Sequence, residues 1–235
     1  MSKTDGMGSR LLVDEFDISG DVGAVSNIGS TIGFQEVTGL NKSAKERVTL
    51  LADSQLEFTG FFNPTGSHTY LKDLPNSNTV GTYLHKTAIG NPAFTGTFQQ
   101  ASYNFSRGQD ASLTIESALA SSDGEPCSWG QQLTTGIQTV TSTGNLTSVD
   151  LGAAKTGGYF TTHCTAFTGT DITLTFQDST DDAAFNTVDA SAVVTYTGVG
   201  AGKVVLTGVN VDRYIRLNIS GTFTTATISV VYAIA

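Results

Sequence analysis

Leu56, Phe58, Gly60 and Phe62 alternate with Glu57, Thr59 and Phe61, and the run stops at Pro64. A period of two is what a strand shows when one face of a sheet is buried, and proline cannot continue the ladder. The same signature returns late in the chain, where Ile215, Leu217 and Ile219 point one way and Arg216, Asn218 and Ser220 the other. Composition agrees: 26 Gly, abundant Thr and Ser, and only 14% charged residues favour short strands and tight turns over helices. The expected fold class is all-β, with one short helix.

That helix is expected over residues 67–74, with Ser67 as N-cap, Tyr70, Leu71 and Leu74 on one face, and Pro75 as the stop. Residues 10–18 read as a first strand, and 19–39 as an extended, bulged segment broken by turns. Further strands are expected at 93–99, 102–107 and 112–119, the last with Leu113, Ile115, Ser117 and Leu119 inward. Residues 121–130 combine turn formers, a proline and the only tryptophan, and mark a boundary. Beyond it, strands at 159–167, 171–177, 192–197, 203–207, 214–219 and 225–234 have the spacing of a small antiparallel β-sandwich. The chain thus divides into a flexible arm (1–9), a first β domain (10–120), a linker (121–149) and a C-terminal sandwich (150–235). Whether the two domains fold independently is left open.

The net charge is −9, and residues 1–130 carry fourteen Asp/Glu against eight Lys/Arg. With no basic stripe, an ordinary nucleic-acid binder is excluded, because phosphates need clustered cations. A conduit for DNA is not excluded, since a wall that repels phosphate lets the polymer slide. Low charge content also suits a protein whose faces are covered by neighbouring copies. Two cysteines, Cys127 and Cys164, are too few for a disulfide framework, and the N-terminus lacks an apolar signal core. No apolar run is long enough to span a bilayer.

Candidate chemistry is sparse. Gly198-Val-Gly-Ala-Gly-Lys203 misses the spacing of a phosphate loop and reads as a hairpin turn. His163 and Cys164 are adjacent, so in a strand they face opposite ways, which predicts a buried Cys and an exposed His rather than a metal pair. His68 and His85 lack neighbouring ligands, and no Ser/His/Asp arrangement can be built from three scattered histidines. Asp178 to Asp182 offers carboxylates on a loop but lacks the Gly and distal Glu of an EF-hand, so a polar turn is preferred over a calcium site. No catalytic residue, metal site or cofactor is expected.

Residues 38–64 read TGLNKSAKERVTLLADSQLEFTGFFNP: a polar loop with a mixed-charge cluster (Lys42, Lys45, Glu46, Arg47) running into the patterned strand and closing on Gly60-Phe61-Phe62-Asn63-Pro64. Ser43 to Glu46 also matches a capping box, but a loop is favoured. With the upstream Asp17-Ile-Ser, this order resembles the major tail (tail tube) proteins of long, non-contractile-tailed bacteriophages, over residues 10–119. The resemblance implies a tail-tube β-barrel or sandwich domain whose subunits form rings, hexameric and stacked into a hollow conduit for DNA. It implies that Lys42, Lys45, Glu46 and Arg47 contact the adjacent ring, that Gly60 to Pro64 marks the fold, and that the C-terminal sandwich lies outside the tube. Implied partners are further copies of the chain, other tail proteins (tape measure, tail tip, terminator) and DNA passing without specific binding, with no membrane anchor. The implied location is the virion tail, assembled in the host bacterial cytoplasm. The alternative is a tail-surface carbohydrate-binding β-sandwich module, for which residues 131–235 lack a tryptophan platform.

Overall fold

A computed structural model describes residues 5–74, 77–124 and 126–234. Residues 1–4 of the expected arm and Pro75 lie outside these. In chain order the elements are β1 (Arg10–Val13), β2 (Phe16–Asp17), β3 (Val22–Glu36), β4 (Arg47–Phe61), α1 (Ser67–Leu71), β5 (Asn78–Leu84), β6 (Pro92–Arg107), β7 (Leu113–Ser121) and β8 (Ser128–Gln132). They continue with β9 (Gln138–Val140), β10 (Gly144–Asn145), β11 (Val149–Asp150), β12 (Lys155–Thr156), β13 (Tyr159–Ser179), β14 (Asn186–Thr187), β15 (Val193–Tyr196), β16 (Gly200–Val205), β17 (Asn210–Val211) and β18 (Tyr214–Ala233). The all-β expectation holds. All strand pairings are antiparallel, and sixteen strands belong to one connected sheet system that does not close into a barrel.

Several expected strands are pieces of longer ones. Residues 159–167 and 171–177 are the two halves of β13, and 214–219 and 225–234 the two halves of β18. These strands pair along their whole length, with register breaks near Ala166, Gly169 and Asp171. Phe160 and Phe176 lie sixteen positions apart on β13, about 50 Å in a straight strand. Their rings nevertheless stack with centroids 3.7 Å apart, so β13 doubles back on itself. Glycine allows the fold-over: Gly221 has φ +118°, and a Cβ there would come within 2.6 Å of the Asp171 carbonyl. Each half then takes different neighbours. Residues 159–164 pair with β16 and 172–175 with β15, while β18 pairs with β10 and β11 at its start and with β9 and β8 at its end. Both layers of the C-terminal sandwich are therefore built on one bent pair of strands.

In the first part, residues 10–18 form the tight β1–β2 hairpin rather than one strand, with Asp14 turning at φ 49°. The expected strands 93–99 and 102–107 are one strand, β6, broken by a bulge between Gln100 and Ser102. Ile115, Ser117 and Leu119 face inward as expected, whereas Leu113, at the strand end, is exposed.

Two large cores follow. One is built from buried residues between Leu11 and Cys127, among them Leu56, Phe58, Phe94 and Phe98; the other from residues between Leu133 and Tyr232. Burying each such aromatic stabilises the fold by about 2–3 kcal/mol. The segment read as a linker is part of the sheet: β8 pairs with β6 on one side and β18 on the other, and a small third cluster of Leu12, Leu84, Ala93 and Val231 bridges the halves. Close approach explains Gly130, where a Cβ would lie 2.1 Å from the Tyr232 carbonyl oxygen.

The junction is also polar. His163, fully buried, donates from Nδ1 to the Asp14 carbonyl (2.6 Å) and accepts at Nε2 from the Thr82 hydroxyl (2.7 Å). Thr82 contacts Thr95, which contacts Thr161. The expected exposed histidine is thus a core residue, because the far half of the chain covers the strand face on which it sits. Lys203, its side chain only 7% exposed, pairs with Asp123 at 2.8 Å and lies over the Tyr159 ring.

Candidate functional site

The Gly-Phe-Phe-Asn-Pro motif ends β4 and starts α1, and one acidic residue ties the two together. A Cβ on Gly60 would sit 2.2 Å from the Asp21 carbonyl oxygen, which accepts the Phe61 N–H at 2.7 Å. The Asp21 carboxylate accepts from Asn63 Nδ2 (3.0 Å) and from the Ser67 backbone N–H (3.0 Å). Ser67 is therefore inside the first turn rather than at the cap, which is Gly66, and α1 ends at Leu71. Burial disfavours the Asp21 charge, but the bonds from Asn63 and Ser67 outweigh it and hold its carboxyl below the usual range. Phe62 packs against the first core, 4.6 Å from the His68 ring, and Phe61 points to solvent. The Pro64 carbonyl accepts the Thr69 hydroxyl.

At the other end of β4 the chain forms a projecting arm. Its root is fixed where Ser30 Oγ donates to the Cys127 carbonyl at 2.7 Å beside Ser54. Beyond this point residues 31–36 and 47–53 pair only with each other, and β7 begins to flank β4 at Gln55. The tip, residues 37–46, is a loop closed by Val37 N–H to the Glu46 carbonyl and Glu46 N–H to the Thr38 hydroxyl. Here the structure places the sequence candidates. Lys42 pairs with Glu46 at 2.9 Å and Lys45 with Glu36 at 2.8 Å, while Arg47 opposite Glu36 opens β4. Such exposed pairs contribute at most about 1 kcal/mol each, so they shape the tip more than they stabilise it.

The sequence reading missed the arm's apolar surface. Residues 47–51, which precede the alternating run that begins at Leu56, are already strand, and Val48, Leu50 and Leu51 are exposed together with Ile32, Phe34, Val37 and Leu40. The run Leu50-Leu51-Ala52 breaks the period of two because a bulge places Leu50 and Leu51 opposite Gly33. That broken alternation in an otherwise well-patterned chain was the available signal.

Strands β3, β4, β7 and the far half of β6 make a four-stranded sheet with one face on the first core. Among the described residues both of its edges are open: β3 pairs only with β4, and residues 102–107 of β6 pair only with β7. The outer face carries Asn27, Gln55, Glu57, Thr59, Asn104 and Glu116, and none of the four strands contributes a Lys or Arg to it.

Other candidates resolve into structure. The 197–199 turn joins β15 to β16, but these strands pair with opposite halves of β13, so it crosses between layers instead of closing a hairpin. Burial pushes the Cys127 thiol up to about 12 and Cys164 up to about 11, far from thiolate chemistry. Asp178 accepts the Asp212 N–H, and Asp181 accepts from Ala183 and Ala184, so these carboxylates hold loop backbone. Among the described residues no cluster of His, Cys, Asp and Glu is arranged to hold a metal ion.

No known protein family matches the chain, and no curated protein does. Two solved chains, described as from the phage p2 baseplate in its activated conformation with Sr and with Ca, align over 97% of this chain and 98% and 99% of theirs. Identity is 9% and 10%, with TM-scores of 0.37 and 0.38. Scores this low do not establish a common fold.

Proposed function

We propose that this chain is a structural protein that assembles head-to-tail into rings stacked as a hollow tube, the DNA conduit of a phage tail. The observation that carries the reading is the four-stranded sheet with two open edges and a cation-free outer face. Open edges are pairing templates, and different edges on the two sides make a heterologous contact that closes into a ring when its rotation permits. Joined in this way, the sheets present Glu57, Glu116 and their polar neighbours as a continuous wall along which a polyanion passes without adhering. The arm, at right angles in function, reaches the adjacent ring, with Lys42, Lys45, Glu46 and Arg47 at its tip. The C-terminal sandwich then lies on the tube exterior, and the role is structural rather than catalytic. The motif resemblance over residues 10–119 supports the same reading.

The test is electron microscopy of the purified protein before and after concentration, with its solution mass from light scattering. Stacked rings or tubes with a central hole are expected, with or without a tail-tip initiator complex. A chain that stays monomeric with initiator present refutes the tube.

A further inference from the structure

The arm's two faces are separable from the strand register. Partners across an antiparallel ladder share a face, so Ile32 and Phe34 continue the side of Ser30 and Ser54, the side that further along β4 covers the core. Gln35 and Val48 lie on the opposite side, as does Leu50, since a Cβ on Gly33 would lie 3.7 Å from Leu50 Cβ. Both sides are apolar: Ile32 and Phe34 are 48% and 64% exposed, Val48 and Leu50 52% and 50%. A ribbon laid on one surface alternates apolar and polar, whereas a strand covered on both faces is apolar on both.

From this we infer that the arm is inserted between two protein surfaces, each from a separate neighbouring copy of this chain, and is covered on both faces in the assembly. Charge identifies the occupant as the chain itself. Residues 32–51 carry three basic and two acidic residues, while the remainder carries nine basic against nineteen acidic. A net-positive arm is therefore complementary to the body of its own copies. The inference rests on the assembly reading above and adds that one arm binds two neighbours at once.

Two serine-substituted variants, Ile32→Ser with Phe34→Ser and Val48→Ser with Leu50→Ser, separate the faces. All four positions are solvent-exposed in the free subunit, so its melting temperature is expected to move by less than about 3 °C. Each variant is expected to raise the concentration needed for tube formation at least about tenfold, equivalent to about 1.4 kcal/mol per added subunit. Loss with one variant only overturns two-sided insertion and leaves the tube intact. Loss with neither removes the arm from assembly altogether. Hydroxyl-radical footprinting of the unsubstituted protein gives an answer independent of variant folding. Phe34 and Leu50 are both expected to become protected on assembly, and protection of only one overturns the inference.

Discussion

Protonating His163 means placing a charge where no solvent reaches. Its ring is satisfied as the neutral tautomer, with Asp14, among the described residues the one ionisable residue acting on it, on one side and Thr82 on the other. Burial lowers its pKa to about 4. An unfolded histidine titrates near 6.5, so the folded value is the depressed one, and the stabilisation is complete above about pH 6.5 and lost as pH falls towards 4. The amount at stake is about 3 kcal/mol. Denaturant midpoints between pH 7.5 and 4.5 are expected to fall more steeply for the native chain than for His163→Gln; equal slopes would contradict the account. Gly60→Ala is expected to cost at least about 1–3 kcal/mol, since its methyl group meets the Asp21 carbonyl and backbone must move. Asp21→Ala is expected to cost about 1–2 kcal/mol by freeing the Asn63 amide and the first turn of α1, read in the same titrations.

At the level of elements, replacing residues 37–46 by a two-residue turn removes only the exposed tip. The subunit is expected to keep its melting temperature within about 3 °C while losing tube formation, because nothing in the cores touches the loop. What was legible in the sequence follows from what is local. The alternation of Leu56 to Gly60 and of Ile215 to Ile219 appears directly as buried and half-exposed positions, whereas the strand ends at Phe61, three residues short of the expected Pro64 stop. Continuity was not legible: glycines and polar residues near Gly169 and Gly221 look like turns between strands, but they are bends within β13 and β18 that only the facing strand explains. His163 was misplaced for the same reason, since the element that buries it lies eighty and more positions away. In the candidate site the charged tip was visible as a motif, whereas the role of Asp21 and the two-sided apolar arm depend on pairings no local pattern encodes.

For the whole molecule, the shared strand β8, the bridging cluster and the His163 network join the two cores. Calorimetry is expected to show one unfolding transition, with van't Hoff and calorimetric enthalpies equal; two resolved transitions would mean that the cores are independent. One further consequence lies in β3, the strand with the open edge. Its ladder with β4 is interrupted at three places, near Gly23, Ser26 and Gly33. An uninterrupted edge of fifteen residues would recruit any extended chain it met, producing disordered precipitate before ordered polymer. Kinks along that edge admit only a strand with matching irregularities. In the assembly proposed above, the interruptions would act as a fidelity device, keeping a pool of free subunits usable until a correctly shaped acceptor is offered.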